Sequence, residues 1–233
     1  MAPRYAIYYA PEPGSALDTF GRQWLGRDAS GAAADGQLQV PGLGPSRMAE
    51  ITEGPRRYGM HGTLKPPFTL NPSASLDGLI AAAGILAKSL APIEIPPLEL
   101  DVIGQFVALT PETSSAAIES LAASCVRAFE GFRAPLAHAD EQTYKSRRLT
   151  VHQEQMLEHW GYPYVMEEFQ FHITLTEPIH DPHERSVIMS ALEKLAAPVL
   201  RHKIKVRELT VFVQEEWDDP MSIVARLPFG RGG

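Results

Sequence analysis

One cysteine, Cys125, is all the thiol chemistry in this 233-residue chain. An internal disulfide is therefore excluded, and a lone thiol fits a reducing compartment. Long apolar runs are missing too: nothing approaches the roughly 18 apolar residues that a membrane span needs. The start of the chain carries Tyr5, Tyr8 and Tyr9 and is broken by Pro11 and Pro13, so it does not read as a signal peptide. These absences lead to the expectation of a cytoplasmic protein with no membrane partner. Positive charge is scarce, with 21 Lys and Arg against 28 Asp and Glu, a formal net charge of -7. That disfavours a large nucleic-acid surface, because polyphosphate binding is driven by clustered cations. It leaves room for a small phosphorylated substrate held by a few local ones. No Gly-rich phosphate loop of the nucleotide-binding kind is present either. The rest of the composition is that of a globular protein, 44% apolar and 21% charged, and long enough to bury a core.

What is there is a repeated stretch. Met60-His61-Gly62-Thr63-Leu64-Lys65-Pro66-Pro67 and Phe171-His172-Ile173-Thr174-Leu175-Thr176-Glu177-Pro178 both read His-x-Thr-Leu-x-x-Pro. Both are strand-like in composition. On a strand, side chains alternate faces, so His61 shares a face with Thr63, and His172 with Thr174. By the same alternation Lys65 joins Thr63 as a possible phosphate contact. Pro66 and Pro67 should close the first of these strands, since proline cannot donate to a ladder.

The surroundings of the motif repeat as well. Each half runs strand, Pro-Glu turn (Pro11-Glu12, Pro111-Glu112), helix, excursion, His-x-Thr strand, helix, Ala-Pro stop (Ala91-Pro92, Ala197-Pro198) and strand. Ser15 with Asp18, and Thr150 with Gln153, are capping-box patterns, and Asp181-Pro182 is a helix start. The expected strands are 4–10, 93–102 (interrupted at Pro96-Pro97), 105–110, 203–214 and 222–227. The expected helices include 76–90 and 114–129, and residues 28–44 read as a surface excursion. The expected fold class is α+β: one domain over residues 1–233, made of two duplicated lobes (about 1–103 and 104–233). Like halves associate about a pseudo-twofold axis, as symmetric dimers do, and that would bring His61 and His172 to one site.

Histidine titrates near neutral pH, so a pair can hold opposite protonation states. One imidazole then takes a proton from water while the other protonates a leaving oxygen, each role being worth about 10² to 10⁴ in rate. Threonine hydroxyls two residues on can donate to the oxygens on which charge develops. Further candidate phosphate contacts are Arg57 and Tyr58 before the first motif, and Lys145, Arg147 and Arg148 before the second.

Twin His-x-Thr motifs on a duplicated α+β scaffold resemble the two-histidine (2H) phosphoesterase superfamily, the LigT-like fold. The fuller strings Pro55-Arg56-Arg57-Tyr58-Gly59-Met60-His61-Gly62-Thr63-Leu64-Lys65-Pro66-Pro67-Phe68 and Trp160-Gly161-Tyr162-Pro163-Tyr164-Val165-Met166-Glu167-Glu168-Phe169 resemble its branch encoded beside bacterial phosphonate-utilisation genes. The resemblance implies a bilobal fold with a central cleft. It also implies hydrolysis of a cyclic phosphodiester without metal or other cofactor, with His61, Thr63, His172 and Thr174 in the site. It further implies a small substrate such as a ribose cyclic phosphate. The sequence leaves two alternatives open: processing of RNA 2′,3′-cyclic phosphate ends, or a non-catalytic scaffold that binds a phosphorylated metabolite or a partner protein.

Overall fold

The computed structural model describes residues 2–31, 36–200 and 202–230; residues 32–35 of the expected excursion lie outside it. The first half runs β1 (Arg4–Tyr9), α1 (Ala16–Leu25), α2 (Pro45–Ile51), α3 (Glu53–Tyr58), β2 (Gly62–Thr69), α4 (Leu76–Ser89), β3 (Ile93–Ile95) and β4 (Leu98–Ile103). The second runs β5 (Phe106–Pro111), α5 (Ala116–Ala128), α6 (His138–Lys145), α7 (Val151–Trp160), β6 (Ile173–Thr174), α8 (Pro182–Leu195), β7 (Ile204–Val206), β8 (Glu208–Gln214) and β9 (Ser222–Pro228).

Local chemistry accounts for the helix ends. The Ser15 hydroxyl accepts Asp18 N at 3.1 Å, while the Asp18 carboxylate reaches past Ser15 to take Gly14 N at 2.9 Å. Gly26, at φ 70°, stops α1 after Leu17, Phe20 and Trp24 have been buried. Thr150 and Gln153 form a reciprocal capping box at the start of α7, and Asp181 caps α8 ahead of Pro182.

The strands form two antiparallel sheets, ordered β2-β1-β8-β9 and β4-β5-β6, and a separate β3-β7 ladder. In each sheet the first strand of one half is central. β1 has β2 of its own half on one side and β8 of the other half opposite; β5 has β6 on one side and β4 opposite. The first half therefore gives β4 to the other half's sheet, and the second gives β8 and β9. The crossing segments meet as the ladder Ile93–Ile95 against Ile204–Val206. Pro96-Pro97 and Arg207 mark the crossings, which is why the two expected strands 93–102 and 203–214 are each found as a pair. The expected α+β architecture of two pseudo-symmetric lobes is observed, but the sequence boundary near residue 103 does not divide the sheets.

On β1, Ile7 and Tyr9 enter the main core with Leu17, Phe20, Trp24 and Leu64. Ala6, Tyr8 and Ala10 face the other way, against Phe212 and Met221. The pairing of β1 with β2 is irregular: Tyr8 lies opposite Thr63 but Ile7 lies opposite Lys65, so Leu64 is one residue too many. A bulge of this kind breaks the two-residue alternation. Thr63 and Lys65 consequently fall on different faces, contrary to the expectation from spacing. Lys65 is 1% exposed, and its Nζ donates to Val126 O at 3.1 Å and Glu130 Oε2 at 2.9 Å. It is a buried structural cation under α5 and not a phosphate contact. Pro66 and Pro67 do not close β2, which runs on to Thr69; β2 is an edge strand, where missing donors are tolerated.

Candidate active site

Residues 54–58, expected as a connection, form most of the short helix α3. Gly59 ends it at φ 74°, a conformation that favours glycine, and accepts a bond from the next imidazole: His61 Nδ1 donates to Gly59 O at 2.8 Å. The His61 ring stacks on Tyr8, centroids 4.1 Å apart and planes 27° apart, with Tyr58 at 5.7 Å. His172 repeats the arrangement. Its Nδ1 donates to Gln170 O at 2.8 Å, and Phe106 lies 5.9 Å from its ring. A carbonyl oxygen only accepts, so both Nδ1 atoms carry a proton, and neither Nε2 atom has a hydrogen-bond partner among the described residues.

The second motif is held differently from the first. A strand was expected over the whole motif, but only Ile173 and Thr174 pair regularly, with Leu109 and Ala108. Leu175 N and Thr176 N then share Val107 O, at 2.9 and 3.2 Å, while the Thr176 hydroxyl accepts Val107 N at 2.9 Å. This side chain stands in for a ladder carbonyl and lets the chain bend away, so that Glu177 N reaches Ile51 O at 2.7 Å. Trp24 Nε1, fully buried on α1, donates to Leu175 O at 2.8 Å and fastens the motif to the first half. The two motifs also touch directly. A Cβ on Gly62 would lie 2.4 Å from the Phe171 ring, so the ring beside His172 occupies the space that a side chain at Gly62 would need.

His61, Thr63 and Thr174 line one cavity of about 360 Å³. His172 lines an adjoining cavity of about 720 Å³. Thr63, Pro66, Phe106, Arg147, Tyr162 and Pro178 are walls of both, so the two cavities are parts of one cleft between the sheets. Neither the Thr63 nor the Thr174 hydroxyl makes a hydrogen bond among the described residues. Burial pushes the His61 imidazole down to about 4, only partly opposed by its bond to Gly59, and a charge on His172 pushes it further the same way. The effect of His172 on His61 places the two rings within electrostatic reach of each other. Burial lowers His172 as well, against its bond to Gln170. Among the described residues, no three His, Cys, Asp or Glu side chains cluster so as to hold a metal ion. No described helix is long and apolar enough to cross a membrane.

Residues 63–222, well over half of the chain, match the family described as "Protein of unknown function (DUF1045)". The chain belongs to the DUF1045 family. It is 30% identical, over 99% of its own length and 51% of the other's, to a ribose 1,5-bisphosphate phosphokinase, PhnN, of Janthinobacterium sp. (strain Marseille). It is 32% identical, over 76% of its length and 41% of the other's, to the protein of the same name from Laribacter hongkongensis. The chain thus spans about half the length of the curated relatives it matches. Among solved structures, E. coli LigT aligns over 99% of this chain and 100% of its own, at 12% identity and a TM-score of 0.45.

In this DUF1045 chain the cleft gathers some of the expected contacts and leaves others out. Tyr58 and Arg147 line it. Arg57 does not: its guanidinium lies 4.0 Å from Asp218, and its carbonyl accepts Met221 N. Lys145 pairs with Glu141 at 2.6 Å, one turn back on α6, and faces a separate cavity. Arg148 is exposed at a positive φ of 54° and lines neither part of the cleft. A cluster of basic residues in sequence is dispersed here because α6 ends between them and sends successive side chains in different directions. Residues that spacing did not single out do line the cleft: Arg4, Tyr8, Phe106, Tyr144, Tyr162 and Glu177. Arg4 and Tyr8 come from a strand far from either motif, and only the Tyr8–Thr63 register brings them in.

Proposed function

We propose that this DUF1045 chain works as one catalytic unit over residues 1–233 and hydrolyses a small cyclic phosphodiester without metal, as the two-histidine phosphoesterases it resembles do. The observation that carries the reading is the matched pair of imidazoles. Each has Nδ1 pinned to the carbonyl two residues before it, and each has Nε2 free toward one cleft that also holds two unpartnered threonine hydroxyls. His61, in the more aromatic setting and pushed down to about 4, stays neutral and takes the base role. Its Nε2 removes a proton from water as the water oxygen bonds to phosphorus. His172 Nε2–H gives its proton to the leaving oxygen as the ring P–O bond breaks, and the product is a phosphate monoester. Thr63 and Thr174 donate to the non-bridging oxygens.

The curated relatives are named for a phosphokinase that acts on ribose 1,5-bisphosphate, and this chain, which matches about half of their length, has no Gly-rich phosphate loop of its own. A shared polypeptide of this kind supports a ribose phosphate as the common chemistry, and hence a ribose cyclic phosphate as the substrate here. The net charge of -7 and the small number of cations in the cleft favour such a substrate over RNA ends.

The test is phosphorus NMR of EDTA-treated protein with ribose 1,2-cyclic phosphates and 2′,3′-cyclic nucleotides. Ring opening of a ribose cyclic phosphate, undiminished by EDTA, is expected. Abolition by EDTA would remove the metal-free mechanism, and ring opening of nucleotides alone would move the substrate to RNA ends. No ring opening by folded protein would leave the binding scaffold.

A pH profile follows from the same assignment. The active free form has His61 neutral and His172 protonated. The kcat/KM for ring opening should fall as pH drops through about 4. It should also fall as pH rises through the His172 value, which lies below the ordinary imidazole value of about 6.5. A bell with its maximum on the acid side of about 6.5 is the expected result, and a maximum above about 7.5 would overturn the assignment. Folding stability should move the same way. The unfolded chain takes up a proton near 6.5 that folded His61 refuses until about 4, so stability is full above that range and is lost as pH falls through it.

A further inference from the structure

Arg4, Tyr8, Tyr58, Tyr144, Arg147 and Tyr162 all line the smaller cavity, beside His61. They come from β1, the end of α3, α6 and the segments that follow α6 and α7, so four separate stretches of chain converge on one end of the cleft. Three observations point to a ligand there. Neither arginine has a carboxylate partner among the described residues: Arg4 is held by the neutral Gln214 Oε1 and by Trp217, 4.0 Å below it, and Arg147 rests 5.2 Å over the Tyr144 ring. Tyr8 is 1% exposed, and its hydroxyl makes no hydrogen bond among the described residues. Burial raises Tyr8, Tyr144 and Tyr162 alike, so their hydroxyls remain donors throughout the working pH range. Two cations without a carboxylate partner and a set of hydroxyl donors, facing one small space in which Glu177 is the one lining carboxylate among the described residues, make an anion site by chemistry.

Charges of the opposite sign are few nearby. Asp140 on α6 bears on Tyr144. Glu177 lines the cavity but lies against Gly54 at the start of α3, and it is not among the charges bearing on Tyr8, Tyr144 or Tyr162.

We infer that this arginine-tyrosine end of the cleft holds a second, non-reacting phosphate of the substrate while the diester under attack lies between His61 and His172. The substrate class is then a small cyclic phosphodiester that carries a separate terminal phosphate, such as a ribose cyclic phosphate phosphorylated on its primary hydroxyl. The inference rests on the cyclic phosphodiesterase reading. It adds that binding energy from the remote phosphate is used to position the reacting one. Arg147, which planar geometry suits to two parallel bonds with a phosphate, is the residue on which the effect should be largest.

The experiment compares kcat/KM for ribose 1,2-cyclic phosphate with and without a 5-phosphate, in the parent, Arg147→Ala and Arg4→Ala. The parent should prefer the phosphorylated member by about 30-fold or more, and Arg147→Ala should reduce that preference to below about threefold, the scale of charge-assisted bonds. A merely structural role for the arginine would lower both rates and leave the ratio unchanged, which would overturn the inference, as would a parent that shows no preference. Calorimetric titration with ribose 5-phosphate, which cannot be turned over, separates this outcome from failure of the enzyme reading. Binding by the parent that is lost in Arg147→Ala would support the anion site even if no ring opened. Absence of binding by the parent would sink it even if rings did open.

Discussion

Alanine in place of either His61 or His172 should lower kcat/KM for ring opening by about 10³ or more, and the double replacement should lose little beyond the larger single loss. Each imidazole moves one proton in the same transition state, and a positioned acid or base is worth about 10² to 10⁴. Without the acid, the leaving oxygen departs as an alkoxide; without the base, neutral water must attack. The two losses are not independent, because groups that act as a unit give strongly non-additive effects. The losses need a control for packing, since His61 stacks on Tyr8 at 4.1 Å and its removal leaves a gap against a buried ring. Added imidazole supplies it: a small base that enters the gap should restore part of the activity of His61→Ala, a response that a misfolded cleft would not give. Either single variant retaining activity within about tenfold of the parent would show that its histidine moves no proton.

The motif pair, the helix caps and the α+β class could all be read from the chain, because each depends on neighbours within a few residues. The His-x-Thr spacing works for His61 and Thr63, which face the cleft together. It fails one residue later, where the bulge at Leu64 sends Lys65 under α5. A bulge is set by how β1 and β2 match along their whole length, and no short window carries that information. The exchange of β4 and β8 between the halves is hidden for the same reason. Pro96-Pro97 announces that a strand is interrupted, but not which sheet the second piece joins. Arg4, Tyr8, Tyr144 and Tyr162 reach the cleft only through such long-range pairings, and so these members of its aromatic and cationic end are legible in the fold alone, whereas Tyr58 and Arg147 could be named from their place before the motifs. The second motif makes the converse point. Its composition is that of a strand throughout, yet Thr176 caps the ladder with its own hydroxyl after two residues and turns the chain toward α2.

The residue between histidine and threonine, Gly62 in one motif and Ile173 in the other, leads to the second large effect. Gly62→Ala should lower kcat/KM by about 10² while costing about 1–3 kcal/mol of stability, the range of a small overpacked site. The added Cβ would start 2.4 and 2.6 Å from two atoms of the Phe171 ring, well inside contact distance. That ring is 5% exposed and tilted against Tyr9 at 6.1 Å, so it has no free direction in which to swing. Strain is then relieved through the backbone of Phe171, and the next residue along that backbone is His172. A shift of about 1 Å in a proton donor is enough for a loss of this size. Ile173 tolerates its bulk because its side chain points into the core on the far side of β6, fully buried and away from the first motif. The damage then lies in the ring and not in the alanine. Gly62→Ala combined with Phe171→Leu should therefore recover most of the activity, whereas Phe171→Leu alone should change stability more than rate. Loss of activity that persisted in the combined variant would mean that Gly62 is needed for its own backbone path and not as the seat of Phe171.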